Sequence, residues 1–263
     1  MEFETLSISE EEGILHVRLN RPDKRNALNQ KMLLDLGQCF SEIATRSSVK
    51  VVILSGEGKA FSAGTDLYEV GGLSDLEGQG FRQFVRKAQR AISEIENLEK
   101  AVIALVHGYA IGAGLEVILA CDLRIASNEA VFSIPEVSIG LVPDLGGSQR
   151  LPRIVGLARA KELILTGKNI SAMEAEHIGL VNKVVSLDQL GETGKEWAEE
   201  IKSNEPVAVG LAKKNIDMSF DQCLSDGLES AGIAQSLLIT GNAFKERARA
   251  RLTQKNLSKK PTL

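Results

Sequence analysis

The chain has 263 residues, 43% hydrophobic and 25% charged, with a formal net charge of −4 at pH 7; a single domain of that length buries roughly 70–75% of its unfolded surface. No basic face dominates, which argues against a nucleic-acid surface, and Cys39, Cys121 and Cys223 form neither a CxxC pair nor a disulfide framework. No apolar run reaches the length of a membrane span, Met1-Glu2 begins unlike a leader, and Pro261-Thr262-Leu263 is no peroxisomal address, so the expectation is a soluble cytoplasmic protein.

From Ile14 to Leu19, apolar residues alternate with His16 and Arg18, which predicts a half-buried strand. Arg21-Pro22-Asp23 is a turn, followed by the charged loop residues Lys24 and Arg25. Asn29 or a near neighbour caps a helix through about Arg46, with Met32, Leu33, Leu36, Phe40 and Ile43 at helical spacing. Val49 to Gly56 reads as a second strand. The following GEGKAFSAGTD lacks the Gly-Lys-Ser/Thr end of a phosphate-cradling loop; it is either a tight connection or a loop offering backbone N–H groups. Glu77 to about Leu98 forms a long amphipathic helix.

Ala101 to Val106, AVIALV, is a short apolar strand ended by His107-Gly108. A turn studded with Gly108, Gly112 and Gly114 then runs into an apolar helix from about Gly114 to Cys121. Such a turn leaves amides free at a helix start. It is not a dinucleotide fingerprint, because the third glycine position holds Val117. Inside the apolar helix sits Glu116. Two strands, Asp122–Ser127 and Ala130–Ile134, precede Pro135 and a second acid, Glu136; a third, Asp144, follows in GLVPDLGGSQRLP. An acid in an apolar stretch is costly to bury unless something uses it. The structural alternatives are an ion pair of Glu116 with Arg124 or Arg150, a helix-start role for Glu136, and a turn or cap role for Asp144. After Val185 the chain reads as helices: Leu187–Lys202, Pro206–Met218, Asp221–Ile239 and Asn242–Thr253.

Arg21–Leu28 (RPDKRNAL), Gly58–Leu67 (GKAFSAGTDL), His107–Ala126, Phe132–Gly156 and Ile164–Val185 stand in one order and spacing along nearly the whole chain. In this the sequence resembles the enoyl-CoA hydratase/isomerase (crotonase) superfamily. The resemblance implies an α/β fold, a spiral of ββα units over residues 1–190 carrying the active site. It also implies a C-terminal helical region, 191–263, that builds homotrimers, often paired into hexamers.

It further implies an acyl-CoA enzyme, a 2-enoyl-CoA hydratase first and an enoyl- or dienoyl-CoA isomerase second. Glu116 and Glu136 match the catalytic glutamates, 136 − 116 = 20 positions apart. The backbone N–H groups of Ala63 and Ala113 are the implied oxyanion donors, and Lys24, Ala27, Ala63, Gly64, Thr65, Asp66 and Leu67 the implied contacts to coenzyme A. No cofactor or metal is expected beyond the coenzyme A of the substrate, and neither a nucleic acid nor a membrane as partner. One departure stands out: Asp144, 144 − 136 = 8 positions after Glu136, replaces the glycine usual in hydratases and matches the isomerases. A glutamate at 116 points the other way, since dienoyl isomerases often carry aspartate there. The rivals outside the family are an NAD-dependent oxidoreductase and a catalytically silent, RNA-associated homologue. No G-x-S-x-G pattern supports a covalent nucleophile.

Overall fold

The structure is a computed structural model that describes residues 1–73 and 78–257. The expected helix start at Glu77 and the chain end at Pro261-Thr262-Leu263 lie outside the described residues. The chain divides into two compact units, Met1–Ser203 and the segment from Asn204 onward.

The first unit repeats one step. Strands β1 (Leu6–Glu11) and β2 (Ile14–Leu19) pair as an antiparallel hairpin, and a single 3-10 turn at Pro22–Lys24 leads towards α1 (Gln30–Thr45). The Asn29 side chain accepts from the Met32 N–H at 2.9 Å, the cap its sequence position predicts. Then come β3 (Val51–Gly56), α2 (Leu67–Leu73) and α3 (Gly78–Glu96). Next are β4 (Ala101–Val106), β5 (Tyr109–Ile111) and α4 (Ala113–Leu119). After them stand β6 (Leu123–Ser127), β7 (Val131–Ser133) and α5 (Gly147–Thr166). β8 (Ile170–Ser171), α6 (Ala172–His177), β9 (Lys183–Val185) and α7 (Leu187–Lys202) complete the unit.

Six strands form one sheet in the order β1-β2-β3-β4-β6-β9, parallel except for the first pair; β5, β7 and β8 form a second. Isolated parallel bridges, Leu28 to Thr65 and Ser62 to Ala110, extend the small sheet back towards the N-terminus. Each turn of chain therefore lays a strand in the large sheet, an extended stretch in the small one, and then a helix. The turns run β2, Leu28, α1; then β3, Ser62–Thr65, α3; then β4, β5, α4; then β6, β7, α5. This is the expected ββα spiral.

Packing follows from the sequence pattern. All six positions of β4 are buried, as an unbroken apolar run in a parallel sheet requires. α1 buries Met32, Leu36, Phe40 and Ile43 completely, each such side chain contributing roughly 1.5–3 kcal/mol. It crosses α3 at Gly37, where a Cβ would come within 2.9 Å of Ala91 Cβ, so small residues set that approach. α7 packs on the sheet as well: it buries Leu190, Thr193, Gly194 and Ala198, and a Cβ at Gly194 would meet the Leu105 methyls at 2.7 Å. The division between units consequently falls at 203/204 rather than at 190/191.

The second unit contains α8 (Pro206–Met218), α9 (Leu224–Thr240) and α10 (Asn242–Leu257). Pro206 occupies the first turn and the Glu205 carboxylate caps the Ala208 N–H at 2.6 Å. α9 starts three residues later than its periodicity predicts, because Cys223 is extended and serves as its cap residue. No helix among the described residues is long and apolar enough to cross a membrane.

Candidate active site

Two backbone amides meet where the small sheet begins. In the Leu28–Thr65 bridge, Leu28 N–H donates to Gly64 O (2.7 Å) and Asp66 N–H to Leu28 O (2.9 Å). Backbone alternation then turns the Thr65 N–H the other way, and it has no hydrogen-bond partner among the described residues. Gly64, at φ +94, brings this stretch against β5: a Cβ there would sit 2.7 Å from Ile111 O and 3.8 Å from Ala113 N. Ala113 opens α4, so its N–H has no carbonyl one turn back to bond; it too has no partner among the described residues. Both amides border one cavity of about 340 Å³.

Besides Asp66 and Glu69, the same cavity is lined by the three acids singled out in the sequence, Glu116, Glu136 and Asp144. Glu116 is 1% exposed, and its Oε1 accepts from Leu145 N–H (2.9 Å) and Gly147 N–H (2.7 Å). Burial, helped by the neighbouring Glu136 and Asp144 charges and opposed by the two amides, pushes its pKa up to about 8. Glu136 follows Pro135 in a 3-10 turn, and its buried Oε2 has no partner among the described residues. Burial raises its pKa, and Asp144 adds to the rise. Burial likewise raises Asp144. The cations once available to Glu116 are engaged elsewhere: Arg124 donates to the carbonyls of Leu180 and Cys121, and Arg150 pairs with Glu96. None of the three acids forms an ion pair among the described residues, nor does any group of three His, Cys, Asp or Glu there stand ready to hold a metal ion.

One expectation is corrected. Ala63 lines the cavity, but its N–H donates to Arg25 O at 2.9 Å, so it cannot serve as an oxyanion donor. The available amide is two residues on, at Thr65. Gly64, Thr65, Asp66 and Leu67 line the cavity, whereas Lys24 and Ala27 do not. Lys24 is exposed on the 3-10 turn, and the Ala27 carbonyl accepts from Arg21 Nη1 at 2.6 Å. The Asp66 carboxylate is taken up by the same guanidinium at 3.0 Å, which ties the two loops together.

A family profile described as enoyl-CoA hydratase/isomerase matches residues 9–251. The chain belongs to that family. It is 45% identical over 224 residues to a short-chain-enoyl-CoA hydratase of Clostridium acetobutylicum, covering 85% of this chain and 84% of that one. It is also 35% identical to a peroxisomal Δ(3,5)-Δ(2,4)-dienoyl-CoA isomerase of Arabidopsis thaliana, covering 96% of each. The crystal structure of an enoyl-CoA hydratase from Bacillus anthracis superposes with a TM-score of 0.90 at 37% identity, over 95% of this chain and 97% of that one.

In this enoyl-CoA hydratase/isomerase member, several site features escaped the sequence reading. Asn26, fully buried at φ +54, accepts from Arg21 N–H and donates to the carbonyls of Glu57 and Ala60, fastening the loop that presents Thr65. The apolar wall comes from α3, through Phe81, Phe84, Val85 and Ala88. Helical spacing carried that second signal, since these residues continue the α3 stripe that further on is buried as Ile92 and Ile95.

Proposed function

We propose that the protein is an enoyl-CoA hydratase, adding water across the 2,3 double bond of an enoyl-CoA thioester. The observation that carries this reading is the juxtaposition of a buried and a partly buried carboxyl with two amides that have no partner among the described residues, all around one cavity. The thioester oxygen lies between the N–H groups of Thr65 and Ala113, which stabilise it as it takes on enolate charge. Glu116 holds the water: Oε1 is fixed by two amides, and a water donating to the carboxylate favours its charged form, bringing a pKa of about 8 towards what a base at neutral pH needs. As the water oxygen bonds Cβ, its proton passes to Glu116. Glu136, whose Oε2 meets no donor among the described residues and whose pKa is raised, delivers a proton to Cα. Two carboxyls sharing a cavity titrate apart, which provides one acid and one base. These steps draw on carboxyls and amides alone and require no resident cofactor.

Gly64, Thr65 and Leu67 contact the carrier near the thioester, with exposed Lys24 and Ala27 meeting coenzyme A further out. Homotrimers or hexamers built through the C-terminal helices suit the second unit, where Leu224, Leu228, Ile233 and Leu237 of α9 are 56–80% exposed. A cytosolic setting suits three cysteines that are all free. A second reading, dienoyl-CoA isomerase, is favoured by one observation: Asp144 lines the same cavity with a raised pKa and no ion pair among the described residues. Following the absorbance of crotonyl-CoA and of a 3,5-dienoyl-CoA with the purified enzyme separates the two. Loss of the crotonyl-CoA chromophore supports hydration; turnover of the dienoyl substrate alone supports the isomerase.

A further inference from the structure

Arg150 lies in the first turn of α5, borders no part of the catalytic cavity, and takes no part in the steps above. Besides a longer contact from Nη2 to Ser93 Oγ at 3.4 Å, its guanidinium grips two groups at once. Nε and Nη2 donate to Glu96 Oε2 at 3.1 and 2.6 Å, and Nη1 donates to Leu145 O at 3.0 Å. From the same side of α3, 96 − 89 = 7 residues before Glu96, Gln89 Nε2 donates to Asp144 O at 2.6 Å. Two consecutive carbonyls of the loop are therefore held from outside. On its inner side, the amides of Leu145 and Gly147 hold Glu116 Oε1. Between those amides stands Gly146, at φ +114, where a Cβ would overlap Arg150 Nη1, so the guanidinium lies directly on the loop. An ion pair joining α3 to α5 accounts for Glu96, but not for the contact to Leu145 O.

We propose that Arg150 is a positioning residue for Glu116. By fixing the Leu145 carbonyl it aims the Leu145 and Gly147 amides at Oε1 and so sets how the carboxyl faces the substrate water. This rests on Glu116 as the water-holding group of the hydratase reading. The path Glu96, Arg150, Leu145, Glu116 runs through hydrogen bonds, those of the guanidinium to Glu96 and to Leu145 O being charge-assisted.

The test is a double-mutant cycle on crotonyl-CoA. Arg150→Ala is expected to lower kcat by about ten- to a hundredfold, the scale of a small misplacement of a catalytic group. KM should change little, because neither Arg150 nor Glu96 lines the cavity. The limb of the pH profile that reports Glu116 should move to higher pH, since amide donors favour the carboxylate. In a Glu116→Gln background the same change should cost less than about twofold, because groups acting as a unit are not additive. Equal costs in both backgrounds with an unmoved pH profile overturn the proposal. Intact hydration by Glu116→Gln alone overturns both the proposal and the reading beneath it. If Arg150→Ala fails to fold, Arg150→Lys and Glu96→Gln run the same cycle. A lysine reaches Glu96 or Leu145 O but not both, so an intermediate loss is expected.

Discussion

Replacing Glu116 with glutamine should make the protein more stable and less active, and the size of the gain should depend on pH. A carboxyl whose folded pKa lies above its unfolded one stabilises the fold fully only below the unfolded value, and that contribution is lost as pH rises through the folded pKa. For Glu116 the two values are 4.5 and about 8. Linkage at about 1.4 kcal/mol per pH unit then gives Glu116→Gln an advantage of about 1 kcal/mol near pH 5, about 3 at pH 7 and about 5 at pH 9. Glutamine keeps an acceptor oxygen for the Leu145 and Gly147 amides, so the hydrogen bonds at Oε1 survive the change. Over a unit the size of Met1–Ser203, 3 kcal/mol corresponds to roughly 6–12 °C in Tm. Trp197 in α7 is the only tryptophan of the chain and reports unfolding of this unit by fluorescence. Hydration by the variant should fall about 10²–10⁴-fold. A Tm difference that stays constant from acid to alkaline pH, or a variant less stable than the parent above neutrality, would show that the fold does not hold Glu116 neutral. Glu116 would then be an ionised structural acceptor.

The oxyanion assignment predicts that Thr65→Pro, which deletes an N–H with no partner among the described residues, cuts turnover by about 10²–10³ while the circular dichroism spectrum stays native. Ala63→Pro instead breaks the bond to Arg25 O and should show first as a lower Tm. Gly112→Ala should be damaging to both activity and stability: φ is +51, and the new Cβ would stand 2.6 Å from Glu136 Oε1; a variant with unchanged kcat and Tm contradicts this packing. The apolar wall predicts a rise in kcat/KM of about fourfold per added methylene, ~0.8 kcal/mol each, until the cavity is full. Ala88→Leu should shorten that series while sparing crotonyl-CoA, as measured across a set of enoyl chain lengths.

Much of this architecture was legible because it rests on local rules. The Asn29 cap, the buried run of β4 and the first-turn Pro206 follow from residue types at fixed positions, and Glu116 and Glu136 stood out as acids in apolar surroundings. What the sequence hid depends on partners distant along the chain. Whether Ala63 or Thr65 offers its amide is decided by Arg25 and Leu28, more than thirty residues earlier, through the alternation of one extended stretch. The amides that hold Glu116 come from Leu145 and Gly147, 29 and 31 positions on, and neither residue type gives any hint of that role. Likewise α7 has the amphipathic look of its C-terminal neighbours; its packing on the large sheet, as at Gly194 against Leu105, puts it in the first unit.

In the proposed mechanism Glu116 and Glu136 hydrate an enoyl thioester as a base and acid pair, with Asp144 outside the reaction. Crotonyl-CoA hydration rates of Glu116→Gln, Glu136→Gln and Asp144→Asn, each first shown to fold, test it most directly. Losses of about two orders of magnitude or more are expected for both glutamates and a far smaller one for Asp144→Asn. A crippled Asp144→Asn beside an active Glu116→Gln would contradict it and make the protein an isomerase.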